Sequence, residues 1–402
     1  MPNVASQIVA VATEADYRLD PTRWGSAAVV AHFPGFRHLD VRTSGAIIRL
    51  RHGGSGPPLL LVHGNPQNHT CWYKVAAKLA EHFHVVLPDL RGYGDSSLPE
   101  PGPDNVNFSF REMARDLIEV MHALGHERFM VAGHDRGART AFRLVLDQPD
   151  RVSRLCLMDI LPNYHVWTNT TMSWAIGTWH WGFMAQPEPF PERLISAVPA
   201  RYFIESRMLI RGRTGLGFLT EAAIEEYVRC YTLKTITGSC RDYRACATTD
   251  FVMDTADKER KLDVPLLLLW GAKGQTSERA AEFLDVWRRY ATNIVAHEAI
   301  PCGHYIQEEM PEKVLDHFTR FFGSRVEWVF RAASQKADIE HRAILHAESE
   351  GSRRPVSNPL RNSEAAVVAR SVRDNADITR LQGCRKRLLA TQHTSIKFQR
   401  LG

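Results

Sequence analysis

Residues 128–142 read RFMVAGHDRGARTAF, and the fold turns on how this stretch divides. Phe129 to Ala132 is a short, unbroken apolar run, the composition of a strand covered on both faces rather than one. From Ala138 the segment ARTAFRLVL has helical spacing. Between them GHDRG, residues 133–137, must turn a strand directly into a helix, and its two glycines permit a tight turn with close packing on either side. Asp135 stands at the tip of that turn.

The same alternation extends in both directions. Apolar runs recur at LLLV (59–62), HVVLPD (84–89), RLCLMDI (154–160), PLLLLWG (265–271) and NIVAHEAI (293–300). Segments with helical spacing, such as CWYKVAAKLAEHF and FREMARDLIEVMHALG, lie between most of them. Strand, helix, strand, helix predicts an α/β fold with a mostly parallel sheet wrapped by helices. Ahead of it, HLDVRTS and AIIRLRH joined around Ser44-Gly45 predict a β-hairpin. One interval, 163–260, breaks the pattern: it has no apolar strand run and is rich in Trp and Tyr. About a hundred residues is too long for a plain loop, and a helical cap over the carboxyl ends of the strands is expected there. The reading therefore divides the chain into a weakly structured leader (1–34), a core (35–162 and 261–323), a cap (163–260) and a basic, partly disordered extension (324–402).

The chain has 402 residues, 44% of them hydrophobic, and a formal charge of +5. From Arg325 onward lie 15 Lys and Arg against 8 Asp and Glu, so the extension carries +7 and the rest −2. The basicity belongs to the tail, and no nucleic-acid partner is expected of the core. Seven cysteines form no CxxC pair, which argues against a disulfide framework and a zinc site and fits a cytoplasmic protein. The first twenty residues lack the form of a secretory signal, and no run approaches the ~18 apolar residues of a membrane span.

An aspartate at the tip of a strand-to-helix turn is a nucleophile that is already ionised near neutral pH. Attack of a carboxylate on an acyl carbon gives a mixed anhydride, a poor intermediate; attack on a saturated carbon bearing a leaving group gives an ester. Carbon–halogen bonds and epoxides are the natural targets. The ester then needs water, a base and an oxyanion hole. PCGHYIQEE places His304 in a loop after the last apolar strand, the chain position of the base in this architecture. Of two strand ends that could supply its orienting acid, WGAKG offers no carboxylate and LMDILP offers Asp159. The turn HGNP (63–66) is expected to form the oxyanion hole through the backbone N–H of Asn65, together with that of Arg136. No cofactor or metal is called for; the partners are water and a small molecule.

HGNPQNHTCW, DLRGYGDSS, GHDRGARTAFRLVLDQPDRV, LMDILP, HWGFMAQPEPFPE, DYRA, LLLLWGAKG and CGHYIQEE together resemble the haloacetate and fluoroacetate dehalogenases of the α/β-hydrolase superfamily. The resemblance covers about residues 33–323. It implies the α/β-hydrolase fold, Asp135 as nucleophile, His304 as base and Asp159 as its acid. It further implies that Arg136 and Arg139 hold a substrate carboxylate, and that His180, Trp181 and Tyr243 hold the departing halide. The implied substrate is a small anion, with fluoroacetate or chloroacetate giving glycolate, and a homodimer is compatible with it. This sequence departs from the pattern at Asn65, at Ile210 and in both terminal extensions.

Epoxide hydrolases are the nearest rival, since they share the Asp-His-Asp machinery and the HGxP turn and use cap tyrosines. The arginine pair after Asp135 favours an anionic substrate. Trp174, Trp179 and Tyr231 carry no assigned role, since cap aromatics most often pack the core.

Overall fold

The computed structural model describes residues 7–11, 29, 31–212, 214–274 and 281–323. The extension expected over 324–402 lies outside the described residues. Nine strands form one sheet in the order β1-β2-β3-β5-β4-β6-β7-β8-β9. They are β1 (Gln7–Val11), β2 (Arg37–Arg42), β3 (Ile47–Gly53), β4 (Pro58–Val62), β5 (His84–Pro88), β6 (Phe129–His134), β7 (Val152–Met158), β8 (Leu266–Gly271) and β9 (Ile294–Ile300). From β5 across to β9 all pairings are parallel, whereas β1, β2 and β3 add an antiparallel edge. Every residue of β6 and β8 is buried, as helices on both faces require of central parallel strands. At the edge, β9 alternates between partly buried and exposed positions.

The leader is a correction to the sequence reading. Gln7–Val11 is a strand paired with β2, and Val29 and Phe33 are buried in the core. A five-residue strand that is completed only by pairing with residues some thirty positions on leaves little local signal.

Core helices that follow β4, β5 and β6 are α1 (Tyr73–Leu79), α2 (Phe110–Ala123) and α3 (Arg136–Asp147). The start of α2 is set by Ser109, whose hydroxyl accepts from the Glu112 amide in an S-x-x-E cap. Helix α3 is buried from Arg136 through Leu146. It can lie so close to the sheet because Gly133 and Gly137 carry no side chain. A Cβ on Gly133 would sit 2.6 Å from Ala138 Cα, and one on Gly137 2.6 Å from the Val62 carbonyl carbon. Between β7 and β8 the described residues form a series of helices and no strand, α4 (His180–Met184), α5 (Ala200–Gly212), α6 (Glu221–Cys230) and α7 (Leu233–Ala247) among them. A single turn, α8 (Ile306–Glu309), and α9 (Pro311–Gly323) close the described chain. Because β4, β6, β7, β8 and β9 run parallel, the loops that follow them gather at one end of the sheet, beneath the inserted helices.

Candidate active site

Asp135 joins β6 to α3 with φ +50° and ψ −113°, a conformation a non-glycine residue rarely adopts. The turn is held from below by Gly64, where a Cβ would lie 2.9 Å from Asp135 Oδ1, and the Asn65 amide donates to that oxygen at 3.0 Å. Across the site, Asp159 leaves β7 with φ +51°. Its Oδ1 accepts from the Gly271 amide at the end of β8 (3.0 Å), and its Oδ2 takes the Nδ1 hydrogen of His304. The other ring nitrogen of His304, Nε2, lies 3.5 Å from Asp135 Oδ2. The imidazole thus bridges the two carboxylates, and all three side chains are buried. His134, the residue before Asp135, packs its ring on that of His304 at 4.6 Å and donates from Nε2 to the His304 carbonyl at 2.8 Å. Burial lowers the His134 pKa to about 3, so its ring is neutral and keeps this single donor.

Arg136 and Arg139 both lie on the buried face of α3, yet their surroundings differ. Arg136 is sandwiched between Phe110 and Tyr243, with its guanidinium 4.6 and 4.3 Å from the ring centroids. Two of its nitrogens are taken by Asp242 on α7. Burial alone would lower its pKa, but Asp242 reverses this and raises it. Arg139 lies 4.6 Å over the Trp181 ring and gives one hydrogen bond, from Nη1 to the Leu161 carbonyl (2.9 Å). Its Nε has no acceptor, and no carboxylate among the described residues pairs with it. Burial outweighs the charges around it and holds it below the ordinary arginine value. A buried guanidinium with donors to spare is chemically able to take up an anion.

His180, Trp181 and Tyr243 converge on the same place. The Tyr243 ring is 5.6 Å from that of His180 and 6.0 Å from that of Trp181, and all three are buried. Trp181 Nε1 is buried with no acceptor among the described residues. Asn65 also meets the cap: its side-chain oxygen accepts from Arg207 Nη2 at 3.3 Å. Ile210, by contrast, is about half exposed. Two residues that sequence reasoning passed over belong to this site. Asp242 anchors Arg136 and also accepts from the Tyr93 hydroxyl at 2.6 Å, and Glu309 touches the loop that carries His304. The only signals available were the positions of these residues inside DYRA and CGHYIQEE.

Six described cysteines are free and buried. Among the described residues Asp95, Glu226 and Cys230 approach one another as metal ligands do. A cation is already there: Arg229 Nη2 lies 2.6 Å from Asp95 and 2.7 Å from Glu226. No described helix is long and apolar enough to cross a membrane.

The profile of the α/β hydrolase fold family matches residues 57–311. A fluoroacetate dehalogenase of Burkholderia sp is 41% identical over 281 residues, covering 70% of this chain and 91% of that protein. A soluble epoxide hydrolase of Corynebacterium sp. (strain C12) is 32% identical over 271 residues, covering 67% and 91%. Among solved structures, that of a candidate α/β hydrolase from Nostoc sp PCC 7120 superposes with a TM-score of 0.69 at 43% identity, covering 71% of this chain and 98% of that one.

Proposed function

Because the chain belongs to the α/β hydrolase fold family, we propose that it hydrolyses the carbon–halogen bond of a short 2-haloacid, fluoroacetate or chloroacetate, to glycolate and halide. The observation that carries this reading is the buried cation without a carboxylate, Arg139, one helical turn beyond the turn that presents Asp135. The substrate carboxylate pairs with Arg139 and takes a further N–H from Arg136. That sets the α-carbon against Asp135, with the halogen directed at His180, Trp181 and Tyr243. An Asp135 oxygen attacks the α-carbon from the face opposite the halogen; the C–O bond forms, the C–X bond breaks with inversion, and halide leaves among the cap donors. His304, oriented by Asp159, then takes a proton from water, and the hydroxide adds to the Asp135 ester carbonyl. The oxyanion is met by the Asn65 and Arg136 amides. Collapse expels glycolate, which recovers the proton from His304, and leaves Asp135 as the acid; loss of that proton by way of His304 to water regenerates the carboxylate.

The likeness to an epoxide hydrolase favours a second reading, ring opening by the same triad with cap tyrosines as acids. A neutral epoxide leaves Arg139 buried and unmatched, which favours the first. Halide release and glycolate formation from fluoroacetate and chloroacetate, measured beside styrene oxide hydrolysis, decide between them. Epoxide opening without halide release would retain the triad and overturn the haloacid reading.

A further inference from the structure

His304 is carried by residues 301–305, a stretch outside any helix or strand, so its backbone needs partners from elsewhere. Two amides flank the histidine, and both end on one carboxylate: Gly303 N–H donates to Glu309 Oε2 at 2.7 Å and Tyr305 N–H to Glu309 Oε1 at 2.9 Å. The His304 carbonyl between them is held by His134. The loop is thereby fixed on both sides of the imidazole, by an anion below and by the residue next to Asp135 above. A third donor reaches Glu309 from the insertion: Thr214 Oγ1 donates to Oε2 at 2.6 Å.

From this geometry we infer that Glu309 is a positioning residue for His304, acting in the second half of the reaction. The inference rests on the haloacid reading for its kinetic consequence. Two N–H donors side by side require a group with two acceptor oxygens, which ionised glutamate supplies. Glutamine has one oxygen, and its NH2 opposes whichever amide it faces, so Glu309→Gln leaves one flank of His304 unpaired while hardly changing volume. Asp135 is anchored separately, by its place between β6 and α3 and by the Asn65 amide. The two half-reactions therefore separate: alkylation of Asp135 proceeds, and hydrolysis of the ester slows because the base is displaced. A displacement of about 1 Å costs on the order of 100-fold.

The test pairs kinetics with a readout that needs no substrate. In the full-length protein, proton NMR reports the His304 Nδ1 hydrogen shared with Asp159 as a downfield resonance, assigned by its loss in His304→Asn. In Glu309→Gln this resonance shifts or broadens. With chloroacetate, the variant keeps a rapid burst of one halide per site, its steady-state rate falls roughly 100-fold, and the carboxymethyl ester on Asp135 accumulates by mass spectrometry. A Glu309→Gln protein with the wild-type resonance and steady-state rate overturns the inference, as does one in which the burst is lost in proportion to the steady state. If the wild type releases no halide, the haloacid reading fails, and the resonance alone decides whether Glu309 positions His304.

Discussion

Asp242 takes one whole edge of the Arg136 guanidinium: Nε lies 2.8 Å from Oδ2, Nη2 closes on Oδ1, and neither side chain has exposed surface. Nη1 stays out of this pair. The two arginines of α3 are therefore unequal. Arg136 is a charge-paired, aromatic-stacked wall with only Nη1 to offer, whereas Arg139 has no carboxylate paired with it among the described residues.

That inequality predicts different failures. Arg139→Gln removes a buried cation that no ion pair balances among the described residues, so kcat/KM for a haloacetate should fall by about 100-fold or more, mostly through KM, as loss of a buried charge partner costs about 2–5 kcal/mol. Its Tm should hold, because no ion pair is broken. Asp242→Asn strands Arg136 in the interior and should destabilise the fold by about 3–5 kcal/mol. Steady-state kinetics and thermal unfolding of both variants check this; equal losses of KM and Tm in the two would refute the distinction.

The roles proposed for Asp135 and His304 predict opposite covalent outcomes. Asp135→Asn should release no halide and gain no mass. His304→Asn should release one halide per site and then stop, with a carboxymethyl group retained on the Asp135 peptide. Intact-mass and peptide spectra after mixing with chloroacetate read both. Sustained turnover by Asp135→Asn, with no reversion of the amide to the acid, would remove Asp135 as nucleophile.

Glu308, next to the proposed clamp, makes a prediction about stability and pH. It is fully buried; Tyr227 donates to Oε1 at 2.7 Å, and Gln67 donates to Oε2. Burial raises its pKa from 4.5 to about 8. Between those values the folded chain keeps the proton and the unfolded chain has lost it. Folding then binds the extra proton, and stability falls as pH rises through the window, by up to about 1.4 kcal/mol per pH unit from this group. Glu308→Gln removes the effect, so the variant should gain on the wild type as urea unfolding is moved from pH 5 to pH 8. A difference independent of pH would place the proton elsewhere.

What could be read from the sequence follows how local each feature is. The parallel strands were legible because burial on both faces writes an unbroken apolar run, and Asp135, Asp159 and His304 were legible because each sits where such a run stops. Strand β1 left no such mark. The Arg136–Asp242 pair was hidden for a different reason: its members are 106 positions apart, on a core helix and a cap helix, and nothing near either residue specifies the other. Glu309 stood in plain view five residues after His304, but its partners are backbone amides, which every residue has and no sequence distinguishes.

Trp181 offers the sharpest test of how the leaving group is met. Its ring packs against those of Trp167, Trp174 and Tyr243 and lies beneath Arg139, so Trp181→Phe preserves much of the apolar contact while deleting a buried N–H that has no protein acceptor among the described residues. Fluoride is the poorer leaving group and the stronger hydrogen-bond acceptor, and its charge grows as the C–F bond breaks. A hydrogen bond to a charged group is worth about 1.5–3 kcal/mol, roughly a ten- to hundredfold rate effect when it forms mainly in the transition state. Chloride spreads its charge over a larger atom and depends less on any one donor. Trp181→Phe should therefore slow single-turnover fluoride release by roughly that factor and chloride release by distinctly less. Equal slowing of both would mean that the indole only shapes the pocket, and no slowing of either would direct the halide to another part of the cap.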